Sequence, residues 1–206
     1  MYIRQIQLDA VKKNINKNKV LVVYGPRRCG KTTLLKKFLE TYAGRYRFVS
    51  GDDIFVKEEL GSQSIEKLKG FAGDSGLLII DEAQRIPSIG LNLKLIIDHI
   101  EGVDIIATGS SSFDLAQSVG EPLTGRKITL KLFPLAQMEI MRDENPAEVK
   151  ANLEHRLIYG SYPEVVTSAD NETRAKYLRE LVNSYLLKDI LELDGVRHSD
   201  RIVKLL

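Results

Sequence analysis

Short apolar runs alternate with longer amphipathic stretches along much of this chain. Val20–Tyr24 and Leu77–Ile80 are apolar without alternation. This predicts strands covered on both faces, because a strand with one wet face alternates apolar and polar side chains. Other apolar or alternating runs between helical patterns predict three further strands, at Tyr46–Ser50, Val103–Ala107 and Ile128–Leu132.

Apolar residues spaced three and four apart predict helices between and after these strands. Apart from a helix that carries Leu34, Leu35 and Phe38, the predicted helices lie near Ile6–Ile15, Ser64–Phe71, Leu91–Ile100, Ala147–Tyr159 and Thr173–Leu191. Alternating strands and helices predict the α/β class, a parallel sheet flanked by helices and followed by a helical segment. The predicted domains are a core over residues 1–142 and a helical lid or connector over residues 143–206.

A glycine-rich turn with the spacing G-x-x-x-x-G-K-T joins the first strand to the predicted helix that carries Leu34, Leu35 and Phe38. Glycines let such a loop fold around a phosphate, and its backbone N–H groups then point at the anion. Lys31 is predicted to reach the β- and γ-phosphates, and Thr32 to offer its hydroxyl to Mg²⁺. The predicted nucleotide contacts are the whole loop: Gly25, Pro26, Arg27, Arg28, Cys29, Gly30, Lys31, Thr32 and Thr33.

Two acids follow the apolar strand at Leu77–Ile80. Asp81 stands at its carboxyl end, where ligands bind in open α/β sheets, and is the predicted magnesium partner. Glu82 comes next, and an acid there can orient and deprotonate an attacking water, which favours hydrolysis over simple phosphate binding. The alternative is that both acids merely begin a helix, a position that acids favour anyway.

A small polar cluster, Thr108–Ser112, follows the strand at Val103–Ala107. Its hydroxyl groups could touch the γ-phosphate or the attacking water. They could equally cap the helical pattern that follows, since Ser and Thr favour that position.

Five segments together resemble one group of the AAA superfamily. They are the loop G-P-R-R-C-G-K-T-T-L-L at Gly25–Leu35, L-L-I-I-D-E-A-Q at Leu77–Gln84, A-T-G-S-S-S at Ala107–Ser112, L-T-G-R at Leu123–Arg126 and G-S-Y-P-E at Gly160–Glu164. The chain is similar through nearly its whole length to prokaryotic AAA-like ATPases that carry a C-terminal domain of unknown function. The resemblance implies ATP as the nucleotide, with the loop as Walker A and Asp81–Glu82 as Walker B.

The same resemblance implies roles for residues outside these two motifs. Ser110, with Thr108 as the second choice, matches the sensor-1 position, and Arg126 resembles an arginine finger. Such a finger serves the site of a neighbouring subunit, which implies a homo-oligomer or a partner protein. The alternative for Arg126 is a solvated turn residue beside Lys127.

Two departures from the family pattern concern the C-terminal part. No second-sensor arginine is identified, because Arg156, Arg174 and Arg179 lie on predicted helices without a recognisable motif. The sequence is still apolar and patterned at Ile202–Leu206, so we expect it to be cut before the C-terminal module of the family.

Composition excludes several classes of protein. Hydrophobic content of 43% and charged content of 28% are ordinary for a globular domain. No apolar run approaches the roughly 20 residues of a membrane helix, and no signal peptide is evident, so the expected location is the cytoplasm. The net charge of +2 gives no support for nucleic acid as a partner, and the lysine cluster at Lys12–Lys19 is read as a solvated loop.

The single cysteine, Cys29, excludes an intramolecular disulfide. Its place near a helix N-terminus and beside Arg28 could lower the thiol pKa and permit redox control. The alternative is a small side chain whose backbone serves the loop.

The sequence therefore predicts an ATPase that uses ATP and Mg²⁺ and hydrolyses ATP through Glu82, with Lys31 and Arg126 assisting. A nucleotide-gated binding module with little turnover is the main alternative. A nucleic-acid translocase would need basic or aromatic binding elements, and a P-loop kinase would gain nothing from Asp81–Glu82.

Overall fold

The computed structural model describes residues 2–16, 18–110 and 123–186. The polar residues Ser111 and Ser112, the helical pattern after them, and the predicted helical and apolar residues from 187 onward lie outside the described residues. The chain divides into two compact units: a core unit, Arg4–Phe133, and a helical unit made of Met1–Ile3 and Pro134–Leu206.

Within the described residues, the core unit contains one five-stranded sheet in which every strand pair is parallel. Its strands are β1 (Val20–Tyr24), β2 (Tyr46–Ser50), β3 (Leu77–Asp81), β4 (Asp104–Gly109) and β5 (Lys127–Lys131). The spatial order is β2-β3-β4-β1-β5, so β4 separates the strand before the glycine-rich loop from the strand that ends in Asp81. The predicted α/β class with a parallel sheet is confirmed.

In the described part of the core unit, the α-helices are α1 (Gln7–Asn14), α2 (Lys31–Leu39), α3 (Ile54–Leu60), α4 (Ile65–Ala72) and α5 (Ile89–His99). These helices cover both faces of the sheet. The two faces can be told apart on β1, because successive side chains of a strand point to opposite faces. Val20 and Val22 of β1 belong to the cluster that includes residues of α3, α4 and α5. Leu21 and Val23 pack instead with residues of α1 and α2, which explains the unbroken apolar pattern of this strand.

The helix α3, which follows β2, was not predicted. The sequence reading places only a turn at Gly51–Asp53, whereas α3 begins at Ile54. Asp53 caps it, since its carboxylate accepts hydrogen bonds from the backbone N–H groups of Phe55 (2.8 Å) and Val56 (3.4 Å). Seven residues are too short a stretch for a clear 3.6-residue periodicity, so the cap was the better signal.

The helical unit contains α6 (Gln137–Ile140), α7 (Pro146–Ala151), α8 (Leu153–Tyr159), α9 (Pro163–Thr167) and α10 (Asn171–Leu181), the last followed by a π-helical turn, Val182–Leu186. The single helix predicted over Ala147–Tyr159 is two helices separated at Asn152. Asn145 caps the first of them by accepting hydrogen bonds from Ala147 and Glu148. Ile3, Leu135, Ile140 and Val166 form the apolar cluster of this unit.

Asp104, the first residue of β4, is a partly buried carboxylate at the amino edge of the sheet. The backbone N–H of Asn16 donates to its Oδ1 (3.1 Å). Burial raises the pKa of Asp104, and the Asn16 hydrogen bond offsets only part of that effect. A raised carboxyl pKa means that ionisation costs more in the folded chain than in the unfolded chain, so this carboxylate lowers stability at neutral pH.

We expect Asp104→Asn to be at least as stable as the wild type at neutral pH, because the amide oxygen still accepts from Asn16 while the buried charge is removed. The advantage should shrink as the pH falls toward about 4, where an ordinary aspartate becomes protonated. Urea unfolding of both proteins across this pH range measures the difference. A variant less stable than the wild type at neutral pH would contradict the interpretation.

Candidate nucleotide-binding site

The glycine-rich loop connects β1 to α2 at the carboxyl edge of the sheet. Its first residue, Gly25, packs directly against the chain that follows β5. A Cβ atom at Gly25 would lie 1.9 Å from the carbonyl oxygen of Leu132, a distance that no side chain could tolerate. Glycine is therefore required here by the close approach of two backbones.

Lys31 begins α2 and is buried, with 5% of its surface exposed. Its ammonium group donates to the carbonyl oxygens of Gly25 (2.9 Å) and Pro26 (2.8 Å). The positive charge is therefore held within the curve of the loop. Arg28 and Thr33 are exposed, whereas Cys29 is buried.

The carboxylate of Asp81 joins the loop to β4. Thr32 Oγ1 donates to Asp81 Oδ2 at 2.7 Å, and Thr108 Oγ1 donates to Asp81 Oδ1. The structure thus brings together the two predicted magnesium ligands, Thr32 and Asp81. Thr108, the second choice for the sensor-1 position, is fully buried. Its hydroxyl group contacts the Asp81 carboxylate directly.

These oxygen atoms fit a magnesium ion. Mg²⁺ prefers hard oxygen ligands at about 2.0–2.1 Å in octahedral geometry, which places neighbouring ligands about 2.9 Å apart. The 2.7 Å between Thr32 Oγ1 and Asp81 Oδ2 is close to that spacing. Within residues 2–16, 18–110 and 123–186, no three His, Cys, Asp or Glu side chains converge as a metal cage, and magnesium in phosphate sites commonly uses few protein ligands.

Glu82 follows Asp81 in a left-handed conformation, with φ 52° and ψ 44°. Its backbone N–H donates to Thr108 Oγ1 (3.1 Å), so one hydroxyl group holds both acids. Gly51, which follows β2, donates its N–H to the carbonyl oxygen of Asp81 (2.7 Å). A Cβ at Gly51 would lie 2.3 Å from the carbonyl oxygen of Glu82, so a side chain there would displace the turn that carries the two acids.

Gln84, which the sequence reading missed, links Glu82 to Ser110. Its Nε2 donates to Glu82 Oε2 at 2.6 Å and to Ser110 Oγ at 3.1 Å. Ser110, the predicted sensor-1 residue, is buried just after the carboxyl end of β4. The predicted sensor, Ser110, and the predicted base, Glu82, are therefore bridged by the side-chain amide of Gln84. No periodicity marks Gln84, because its direction depends on the left-handed turn at Glu82.

Cys29 lies in the loop as a fully buried side chain. Its Sγ contacts the carbonyl oxygen of Leu132 at 3.8 Å. Burial raises the pKa of Cys29, and the nearby charge of Lys31 offsets only part of the shift. This is opposite to the lowered pKa that redox control would need, and it favours the alternative of a small loop residue.

Arg126 lies at the amino edge of the sheet, where its carbonyl oxygen accepts from the N–H of Val20 (2.9 Å). The five residues of β1 separate this edge from the glycine-rich loop by about 15 Å, at about 3.3 Å per residue. The guanidinium pairs with Asp98 of α5 at 2.6 Å, and the two side chains are 43% and 26% exposed. The structure therefore does not bring Arg126 to the loop of its own chain.

The arginines weighed as second sensors lie in the helical unit, and two of them have partners there. Arg156 forms an ion pair with Glu144. Arg174 donates to the carbonyl oxygens of Val165 (3.2 Å) and Ser168 (2.6 Å). These contacts within the helical unit give Arg156 and Arg174 a structural role.

The sequence matches the family model described as an AAA domain over residues 17–141. This match covers more than half of the chain, and the chain therefore belongs to the AAA domain family, as the sequence resemblance predicts. A second model, described as a domain of unknown function (DUF8612), matches residues 150–206.

Relatives of this chain occur in archaea and bacteria. An uncharacterized protein of Methanocaldococcus jannaschii is 26% identical over 91% of this chain and 44% of its own length. An uncharacterized protein of Mycobacterium tuberculosis is 28% identical over 91% of the chain and 39% of its own length. The chain thus spans less than half the length of these curated relatives.

Solved structures show the same fold. A Walker-type ATPase of Pyrococcus abyssi superposes with a TM-score of 0.61 at 18% identity, over 100% of this chain and 79% of that one. A STAND protein (signal transduction ATPase with numerous domains) from Pyrococcus horikoshii, which has a tetratricopeptide repeat sensor, superposes with a TM-score of 0.50 at 16% identity. It is matched over 93% of this chain and 34% of its own.

One further property concerns membranes. None of the helices in the described part of the chain is both long enough and apolar enough to span a bilayer.

We expect the Cys29 thiol to resist alkylation in the folded protein, because it is buried and its raised pKa keeps it protonated. Labelling by iodoacetamide should stay slow even near pH 8.5, at which an ordinary thiol is about half ionised. Because the chain has one cysteine, mass spectrometry reports this site alone, and urea-unfolded protein is the control. Rapid labelling of the folded chain at neutral pH would restore the redox interpretation.

Proposed function

We propose that this chain binds MgATP at the glycine-rich loop and hydrolyses it to ADP and phosphate. The observation that carries the proposal is the Asp81 carboxylate, which accepts hydrogen bonds from Thr32 of the loop and from Thr108 of β4. The next residue, Glu82, is an acid held in place through the same Thr108 hydroxyl. Membership of the AAA domain family supports the proposal.

Each residue of the site has a role in this proposal. The loop Gly25–Thr33 would hold the phosphates through its backbone N–H groups and the amino end of α2. Lys31 would turn its ammonium group from the loop carbonyls toward the β- and γ-phosphates. Thr32 and Asp81 would hold Mg²⁺, which when bound neutralises charge on the phosphate oxygens.

Glu82 is the proposed general base. A carboxylate at this place can accept a proton from a water molecule that attacks the γ-phosphate. Gln84 donates a hydrogen bond to this carboxylate, and the Glu82 backbone N–H donates to Thr108 Oγ1. These two bonds would limit the directions in which the carboxylate and its backbone can turn. Ser110 would sense the γ-phosphate through the same Gln84 amide.

Arg126 is proposed to act on the nucleotide of a neighbouring subunit. Its position at the amino edge of the sheet supports this, because the length of β1, about 15 Å, separates the Arg126 backbone from the loop of its own chain. The pair with Asp98 is partly exposed, and exposed ion pairs contribute only about 0–1 kcal/mol. A subunit interface could therefore draw Arg126 away from Asp98 at little cost.

We also propose the domain division near residue 142 as a functional one. The division of the chain after Phe133 and the two family matches, over residues 17–141 and 150–206, support it. The helical part would link the ATPase core to a partner or to a further domain. The curated relatives are more than twice as long as the part that this chain matches, which leaves room for such a domain in them.

The second candidate function is a nucleotide-gated module with little turnover. Two observations favour it: the fold likeness to a STAND protein and the hydrogen bond by which Gln84 occupies one oxygen of Glu82. This hydrogen bond leaves Glu82 Oε1 as the oxygen that could accept a proton. If Oε1 did not face the attacking water, the site would bind the nucleotide with little turnover. Steady-state turnover far slower than nucleotide exchange would support this candidate.

Glu82→Gln is expected to retain MgATP binding and to lose turnover by about 10²–10⁴-fold, the usual contribution of a general base. The matched control is Glu58→Gln, on the exposed side of α3, which should change neither quantity. Binding is measured by calorimetry and turnover by phosphate release. Unchanged turnover in Glu82→Gln would refute the assigned role of this residue.

Lys31→Ala should lose MgATP binding itself, because the positive charge inside the loop is removed. Lys36→Ala, on the exposed side of the same helix, should bind normally. The same calorimetric titration decides, and retained affinity in Lys31→Ala would contradict the proposed phosphate contact.

For Arg126 we expect turnover per subunit to rise with protein concentration in the wild type and to fall by about 10³-fold or more in Arg126→Ala, as for other arginine fingers. Lys127→Ala, a neighbouring loss of charge, should have little effect. Asp98→Asn, which frees Arg126, should keep the wild-type turnover. Turnover that is independent of concentration and unaffected in Arg126→Ala would support the solvated-turn alternative.

A further inference from the structure

Gln5 is a buried polar side chain that precedes α1 and lies outside residues 17–141, the part matched as an AAA domain. It is 3% exposed, and its Nε2 donates to the carbonyl oxygen of Cys29 at 3.1 Å. A buried amide without a partner would cost free energy. The hydrogen bond to the glycine-rich loop therefore compensates the burial of Gln5.

The same amide lies against the next residue of the loop. A Cβ atom at Gly30 would be 3.3 Å from Gln5 Oε1 and 3.5 Å from Nε2. Gln5 thus contacts the two residues immediately before Lys31, at the point where the loop becomes α2. The Gln5 amide therefore borders the backbone from which the Lys31 side chain extends.

Leu132 makes another contact between the loop and a segment outside it. Its carbonyl oxygen approaches Gly25 and lies 3.8 Å from Cys29 Sγ, while its N–H donates to the carbonyl oxygen of Tyr24 (2.8 Å). The loop therefore contacts Gln5, near the first residue of the core unit, and Leu132, near its last residue.

Both contacts are next to the points where the chain passes between the two units, after Ile3 and after Phe133. Ile3 is buried in the apolar cluster of the helical unit, with Leu135, Ile140 and Val166. Arg4 alone separates Ile3 from Gln5, so the two Cα atoms are at most about 7 Å apart. The segment Ile3–Gln5 is therefore a short covalent link between the apolar cluster of the helical unit and the side chain that bonds to the loop.

We propose that Gln5 is a positioning residue of the glycine-rich loop and that the segment Ile3–Gln5 couples nucleotide affinity to the apolar cluster of the helical unit. The proposal rests on the proposed function, because it takes MgATP as the ligand of the loop. Such coupling is reciprocal: the packing of Ile3 strengthens MgATP binding, and MgATP binding stabilises the cluster around Ile3.

The contact of Gln5 is tested by two variants of similar size that cannot donate to Cys29 at neutral pH, Gln5→Glu and Gln5→Met. Both should weaken MgATP binding at least about fivefold, the lower end of typical coupling between sites. Gln137→Glu, the same change on the exposed surface of α6, is the matched control. Should Gln5→Glu fail to fold, Gln5→Met still tests the contact.

A general loss of stability is distinguished by Leu68→Ala. This residue is fully buried in the cluster on the α3–α5 face of the sheet, so its truncation destabilises the core without touching the loop. Positioning by Gln5 requires that Leu68→Ala bind MgATP like the wild type even where its melting temperature falls as far as that of Gln5→Met. Equal loss of affinity in both variants would mean that Gln5 acts through stability alone.

The coupling is tested by Ile3→Ala and by hydrogen exchange. Ile3→Ala should weaken MgATP binding severalfold, whereas Met138→Ala, exposed in the same unit, should not. In the wild type, MgATP should slow exchange of the Leu135 and Ile140 amides, and Gln5→Met should abolish this protection.

The outcomes separate the two levels of the proposal. Wild-type affinity in Gln5→Met would overturn the positioning role, and wild-type affinity in Ile3→Ala together with unchanged exchange would overturn the coupling. Absence of MgATP binding in the wild type would overturn the proposed function, and this inference with it.

Discussion

The Asp81 carboxylate is the interaction on which the arrangement of the site depends. It accepts hydrogen bonds from Thr32, at the start of α2, and from Thr108, at the end of β4. Three segments far apart in the chain thus meet at two oxygen atoms. A charged group satisfied by two hydroxyl donors is held more firmly than by neutral contacts, so the positions of the loop, of β3 and of β4 are fixed relative to one another.

This meeting is possible because β4 lies between β1 and β3 in the sheet. The carboxyl ends of all these strands point to one edge, so their last residues converge. Two glycines then allow the backbones to approach closely from the outer strands. Gly25 packs against Leu132 after β5, and Gly51 after β2 packs against Glu82. The outer strands therefore support the loop and the acidic turn through these backbone contacts.

Sequence patterns predicted the elements that depend on local chemistry. The unbroken apolar runs of β1 and β3 were identified because both faces of these strands are covered by helices. The loop before Lys31 and the acid at Asp81 were predicted as a phosphate and magnesium site, because those ligands restrict which residues can stand there. The structure brings Thr32 and Asp81 together. The α3 helix and the break at Asn152 were missed, because short helices depend more on their caps than on periodicity.

By itself the sequence determined the class of fold, the family and the residues with the chemistry to hold a phosphate and a magnesium ion. Their partners were decided by the tertiary structure. Thr108 donates a hydrogen bond to Asp81, and Gln84 donates to both Glu82 and Ser110. Gln5 donates to the carbonyl oxygen of Cys29 in the loop. The physical reason is that strand order sets the bond of Thr108 and the left-handed turn at Glu82 sets those of Gln84. The bond of Gln5 joins residues 24 positions apart, which no local pattern relates.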